Sequence, residues 1–374
     1  MYTHLKATTK TTTNLTRSEL KEIRAIGVTD FDNWLAPEEF TYKPQDLRPE
    51  DVEIKIQACG ICGSDIHAAR GDWGNAYAPF AVGHEIVGIV TATGDKSRFK
   101  VGDRVGVGAQ CDCCNACTRC KNDHENTCKK QVQTYRSVYP SGDKTQGGYA
   151  SHVRVNSQFA FKIPDNMETN DVAPLLCGGI TGFRPMMTYG VKKGTKVGIN
   201  GIGGIGHMAI LFAKALGAEV TAISRNNNKK ELALSLGADH YIATNEEDFA
   251  QKYEDSLDLI VNTAFTFNEG EMDGVLNLLS PFGQLIFITA PPITEKLVLT
   301  PFQMLMGNIS VGGSCIGSPK DIEYMLKVAS EHNIKPMIET IDINVENVKT
   351  AWERMVKNDV KFRFVLTGYD KYFG

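Results

Sequence analysis

No uninterrupted apolar run in the 374 residues approaches the ~18 needed to cross a bilayer as a helix. Neither sign of charge dominates: 40 Lys and Arg stand against 44 Asp and Glu, a net charge of −4. With a pI near 6.1 there is no basic field to draw nucleic acid, and no partner of that kind is expected. The N-terminal stretch MYTHLKATTKTTTNLTRSEL lacks the apolar core of a secretory signal and has no acid before Glu19. It is also short of Arg, which disfavours mitochondrial import through residues 1–20. Residues 1–22 read as a flexible extension and the chain as cytoplasmic. Internal repeats are absent, as is low-complexity sequence beyond the N-terminal threonines. What is present is 42% apolar and 22% charged residues, the composition of a soluble globular protein of about two domains.

The ten cysteines are unevenly spread, eight of them falling between Cys59 and Cys128. In a long chain without a secretory signal, such clustering points to thiolates for metal in a reducing compartment rather than to a disulfide framework. Cys114, Cys117, Cys120 and Cys128 follow the pattern C-x2-C-x2-C-x7-C. Spacing this tight lets one loop wrap a tetrahedral ion with four sulfurs, a closed and therefore structural zinc site. An iron–sulfur cluster or redox-active thiols are the rival readings. Cys111 and Cys113 lie just outside the pattern and read as bystanders. Cys59, three residues before Cys62, reads as buried filler.

A second constellation is dispersed. Cys62 opens the segment Cys62-Gly63-Ser64-Asp65-Ile66-His67, His84-Glu85 lies in Gly83–Gly88, and Cys177 ends Pro174-Leu175-Leu176-Cys177. Two thiolates and an imidazole leave a fourth position open, the catalytic zinc set known from alcohol dehydrogenases. Glu85 is placed to orient that site or to join it transiently, and Asp65 to hold a ligand or a proton relay.

The run Lys196-Val197-Gly198-Ile199-Asn200-Gly201-Ile202-Gly203-Gly204-Ile205-Gly206 reads as a strand entering G-x-G-x-x-G and then a helix. In that context the motif cradles a dinucleotide pyrophosphate. Gly201 makes the turn, Gly203 admits the phosphates, Gly206 packs helix on strand, and Ile202, Gly204 and Ile205 complete the loop. An acid expected at the end of the next strand for NAD is missing; Ser224, Arg225 and Lys229 stand there instead. A hydroxyl and cations suit a 2′-phosphate and point to NADP(H). Strands at Val220–Ile223, Leu257–Val261 and Gln284–Thr289 alternate with helices at His207–Leu216 and Lys229–Leu236. That pattern predicts an α/β fold with a doubly wound parallel sheet. A helix at Ile322–Ser330 and a strand at Arg363–Leu366 read as a return to the first, β-rich domain.

With these motifs in place the sequence resembles the zinc-dependent medium-chain alcohol dehydrogenases, and within them the cinnamyl alcohol dehydrogenase group, especially its NADP-dependent yeast members. The likeness rests on residues 59–67, 83–88, 174–181 and 363–366, the four-cysteine lobe and the glycine loop, and it covers about residues 23–374. It implies a GroES-like catalytic domain from 23–178 and 319–374, with the zinc lobe at about 108–130. A Rossmann domain would occupy 179–318, and the protein would be a homodimer. It further implies catalytic zinc on Cys62, His84 and Cys177, Ser64 bonding the substrate oxygen, and His67 continuing the proton path. Thr181, Thr263, Ser314, Cys315, Ile316 and Arg363 match positions that meet the cofactor. Trp73 is a candidate wall of an apolar substrate pocket. The reaction implied is reversible hydride transfer between NADPH and aromatic or medium-chain aliphatic aldehydes, giving primary alcohols. Two other readings stay open: a zinc polyol dehydrogenase of the sorbitol type, and a catalytically silent NADPH- and zinc-binding redox sensor.

Overall fold

The computed structural model describes residues 18, 20–264, 271–291, 294 and 296–374. The predicted extension and the import reading fall almost wholly outside them. Two sheets carry the fold. In chain order their strands are β1 (Asp51–Ile61), β2 (Ile86–Thr93), β3 (Arg104–Val107), β4 (His152–Asn156), β5 (Ala160–Lys162), β6 (Lys196–Asn200) and β7 (Glu219–Ser224). Then come β8 (His240–Ala243), β9 (Leu257–Asn262), β10 (Leu279–Phe287), β11 (Ser310–Gly313), β12 (Ile338–Asp342) and β13 (Arg363–Thr367).

The first sheet runs β12-β13-β1-β2-β3-β5, with β4 also paired to β1. Its pairs are antiparallel except β12 with β13. Strands from both ends of the chain therefore share it, as the return of the C-terminal segment predicted. The second sheet is β8-β7-β6-β9-β10-β11 and wholly parallel. With β6 as first strand this is the 3-2-1-4-5-6 order of a dinucleotide-binding sheet, whose switch point lies between β6 and β9. Predicted strands and helices in this half are present with ends displaced by a few residues; β10 differs most, beginning at Leu279 and ending at Phe287.

Five helices matter for the site: α1 (Gly63–Arg70), α2 (Gly178–Thr188), α3 (Gly206–Ala215), α4 (Pro301–Gly307) and α5 (Pro319–Glu331). α3 is almost wholly buried because it is apolar nearly all round, and it stops where Gly217 turns the chain with φ +81°. One apolar core joins the two sheets. Val87 and Phe161 from the first meet Leu176, Phe183, Met208, Phe212 and Val197 around the second. Each such fully buried side chain contributes roughly 1.5–3 kcal/mol. No helix among the described residues is long and apolar enough to cross a membrane.

Candidate active site

Cys62 sits where β1 ends and α1 begins. It is the N-cap of α1, and Asp65 at the third helical position accepts the Cys62 N–H at 2.8 Å. The same carboxylate reaches across to the neighbouring loop, where Gly83 N–H donates to it at 3.1 Å and His84 Nδ1 lies 2.9 Å away. Asp65 is completely buried. It thus ties two ligand loops together and fixes the His84 tautomer, leaving Nε2 as the ring nitrogen available to an ion. Cys177 arrives from the turn before α2. Cys62, His84, Glu85 and Cys177 are all buried, and their ligand atoms lie within 4.8 Å of one another.

The pocket gathers two thiols, a histidine and a carboxyl around one arginine. A hydrogen bond from Cys177 holds the Cys62 thiol well below its ordinary value against burial, with Arg363 assisting. That same hydrogen bond pushes Cys177 well up. Burial raises the Glu85 carboxyl to about 7 although Arg363 opposes the shift. Arg363 is ion-paired with Glu85 Oε1, while Glu85 Oε2 is buried without a hydrogen-bond partner. Thiols sharing a proton beside an orphaned carboxylate oxygen are the donor set of a cation site, and zinc fits it. Gly60 makes room for that carboxylate, since a Cβ there would fall 2.0 Å from Glu85 Oε2.

Ser64 and His67 stand at i and i+3 on α1 and so share a face. Gly71 ends the helix in the left-handed region at φ +82° and brings Asp72 back, its carboxylate 2.6 Å from His67 Nδ1. The Trp73 ring stacks on His67 with centroids 5.3 Å apart. Trp73 is half-buried rather than a core residue. Asp72 is the residue the sequence reading missed. Its signal was the Gly-Asp pair placed to fold back over His67. Asp65, expected at a ligand or in the relay, contacts His84.

In the four-cysteine lobe the Sγ–Sγ separations are 3.5 Å (Cys117–Cys120 and Cys114–Cys128) and 3.9 Å (Cys114–Cys120 and Cys117–Cys128). A tetrahedron with zinc–sulfur bonds of about 2.3 Å has edges of about 3.8 Å, so the four thiols fit zinc. Cys111 is buried against Tyr139, and Cys113 lies outside the set but with its Sγ 3.6 Å from that of Cys120.

At the switch point Gly201 has φ +92°, and a Cβ on Gly206 would lie 1.9 Å from the Gly201 carbonyl oxygen. A Cβ on Gly203 would meet nothing within 4 Å, so that face of the loop is open to a phosphate. Thr263 Oγ1 donates to the Gly201 carbonyl at 2.7 Å and Lys229 Nζ to that of Ile202 at 2.7 Å. Ile202 is buried and Ile205 half-buried beneath the loop. Ser224 ends β7 half-buried and Arg225 follows it exposed. Thr181 is buried in α2, its N–H donating to the Cys177 carbonyl at 2.9 Å. Ser314 extends β11 by donating its N–H to the Phe287 carbonyl, and Cys315 accepts from Asn126 of the zinc lobe at 3.0 Å. Ile316 follows with φ +39°. Arg363, expected at the cofactor, lies between two neighbours. Its stem would touch a Cβ on Gly204 at 2.9 Å, and its guanidinium is given to Glu85.

Residues 48–165 match the family described as "Alcohol dehydrogenase GroES-like domain", and residues 204–331 that described as "Zinc-binding dehydrogenase". A protein named NADP-dependent alcohol dehydrogenase 6 from Saccharomyces cerevisiae is 45% identical over 94% of this chain and 98% of its own. The structure of a cinnamyl alcohol dehydrogenase from Sorghum bicolor superposes with a TM-score of 0.87 at 36% identity, covering 93% of this chain and 98% of that one. A CAD from Helicobacter pylori, solved as a complex with NADP(H), gives 0.84 at 34% over 92% and 98%. On this sequence and structural likeness, the chain belongs to the zinc-dependent medium-chain alcohol dehydrogenase family, alongside its cinnamyl alcohol dehydrogenases.

Proposed function

We propose that this chain is an NADPH-dependent aldehyde reductase and alcohol dehydrogenase, acting reversibly on aromatic or medium-chain aliphatic aldehydes of the cinnamaldehyde type. The observation that carries this reading is the buried Cys62–His84–Cys177 pocket in the same molecule as a glycine loop followed by Ser224 and Arg225. When bound, zinc supplies a Lewis acid for the carbonyl oxygen and NADPH supplies the hydride.

The chain's own residues do the rest. Cys62, His84 and Cys177 hold the metal, with Asp65 locking His84 and Glu85 lying within reach as a further oxygen donor. Gly201 to Gly206 seat the pyrophosphate, while Thr181, Thr263, Lys229 and the Ser314–Ile316 segment shape the cofactor cleft. Ser224 and Arg225 receive the 2′-phosphate. Ser64 delivers a proton to the substrate oxygen, and His67, held by Asp72, links that hydroxyl to solvent. Trp73 walls the substrate side beside His67. Cys114, Cys117, Cys120 and Cys128 fold the lobe around structural zinc. The catalytic domain spans 23–178 and 319–374, and the cofactor domain 179–318. Ten free thiols gathered largely around metal pockets favour a reducing compartment, the cytoplasm.

The protein acts as a homodimer. β11 is an edge strand of the parallel sheet, and nearby Phe302 (71%), Leu305 (73%) and Met306 (68%) of α4 are largely exposed. An open strand edge beside an apolar patch is the kind of surface a second copy covers.

Initial rates of cinnamaldehyde reduction with NADPH and NADH, with sorbitol oxidation run in parallel, test the activity. A large NADPH preference with background sorbitol turnover is expected. Activity with NADH alone would overturn the cofactor assignment, and sorbitol oxidation alone would favour the polyol reading. No turnover on zinc-replete protein would favour the silent sensor.

A further inference from the structure

His207 follows the last glycine of the loop, and the mechanism above gives it no task. It is completely buried within the apolar helix α3. Yet both ring nitrogens are engaged. Nδ1 lies 3.1 Å from the Gly203 carbonyl oxygen, and Nε2 lies 3.0 Å from the Met337 N–H. A carbonyl can only accept and an amide N–H can only donate, so the tautomer is determined: Nδ1 carries the proton and Nε2 is bare. Burial holds the ring neutral, with its pKa lowered to about 4.

The two partners belong to different halves of the molecule. Gly203 is the open glycine of the phosphate loop. Met337 immediately precedes β12, which pairs with β13 in the other sheet. β13 begins with Arg363, the ion-pair partner of Glu85 beside His84. The ring also packs on Phe362, with centroids 4.7 Å apart. Phe362 is held at φ +71°, and its carbonyl oxygen comes so close to Gly204 that a Cβ there would sit 2.8 Å away. The phosphate loop, His207, the Phe362–Arg363 turn and Glu85 thus form one packed series from cofactor cradle to metal pocket.

We infer that His207 is a positioning residue, fastening the phosphate loop to the catalytic sheet so that the nicotinamide end of the cofactor is held in register with the metal site. The inference rests on the proposed hydride transfer. It predicts a specific split, because a fragment that carries only the adenosine end needs no register with the second domain, whereas the whole dinucleotide does.

The test uses the full-length, zinc-replete protein with His207→Leu and His207→Gln. Leucine leaves the Met337 N–H without an acceptor, and glutamine offers one. Binding of NADPH and of 2′,5′-ADP is measured by fluorescence and calorimetry. The deuterium isotope effect on kcat is measured with 4-deuterated NADPH and cinnamaldehyde. For His207→Leu we expect NADPH to bind at least about fivefold more weakly and 2′,5′-ADP within about twofold of wild type. The isotope effect should rise as hydride transfer becomes limiting, and His207→Gln should stay within about threefold on every reading. Equal weakening of both nucleotides, or indistinguishable Leu and Gln variants, would overturn the inference. Should His207→Leu not fold, His207→Met, of similar reach and without a nitrogen or oxygen acceptor, takes its place. If wild type turns over no aldehyde, the proposed function fails, while the two binding constants still decide the role of His207.

Discussion

Asp65 is a buried carboxylate with no idle oxygen. One oxygen caps α1 through the Cys62 N–H, and the other meets Gly83 and His84. A charge taken out of water at this depth is tolerable because every contact is a hydrogen bond to a site it organises. Ser224, half-buried, and the exposed Arg225 differ from it in being open to solvent, where a phosphate would reach them. Replacing both by alanine should raise the KM for NADPH about 10- to 100-fold, the loss of one or two charge-assisted hydrogen bonds, with NADH changed by less than about threefold. Steady-state kinetics with the two cofactors check this, and equal weakening would remove the 2′-phosphate from that turn. The thiol cluster and the glycine turn were legible because their chemistry is local: thiols at ligand spacing and glycines in a loop. Asp72 was not, since it meets His67 only because Gly71 adopts a left-handed turn. The partner of His207 lies 130 residues away, and no local pattern announces it.

At the scale of elements, β6, its glycine loop and α3 form a unit whose type follows from period and punctuation. Strand ends moved where tertiary pairing overrode local signals, as in β10, which begins at Leu279 beside Leu257 of β9. The buried His207 gives this unit a pH dependence. Its folded pKa of about 4 lies below its ordinary 6.5. The unfolded chain therefore binds the extra proton between those values, and stability rises with pH there. The contribution is complete above about pH 6.5 and is lost as pH falls towards 4, amounting to about 3 kcal/mol. Denaturant unfolding at pH 7 and pH 4.5 should show wild type losing about 2 kcal/mol more than His207→Gln. Equal losses would mean that the ring titrates normally.

Over the whole molecule, both chain ends share one sheet, and Arg363 of β13 lies between Glu85 of the candidate metal pocket and Gly204 of the glycine loop. The alternation of strands and helices predicted the parallel sheet. The C-terminal helix and strand read as a return to the first domain, but which strand β13 would join, with β12 beyond it, was not legible, because contacts across some 300 residues leave no mark on sequence spacing. The exposed face of α4 leads to an assembly test. Phe302→Glu with Leu305→Glu should convert a dimer into a monomer by sedimentation or light scattering, since two charges would be buried unpaired in the apolar contact. A dimer that survives both changes would place the interface elsewhere.

Catalysis on a metal held by Cys62, His84 and Cys177 is tested most directly at Cys62. Zinc content, NADPH binding and cinnamaldehyde reduction should be measured together on wild type and Cys62→Ser. We predict that the variant loses about one of two zinc ions and at least about a thousandfold in turnover, while NADPH still binds within about threefold. Turnover that persists with the metal lost would contradict a catalytic site built on Cys62, His84 and Cys177.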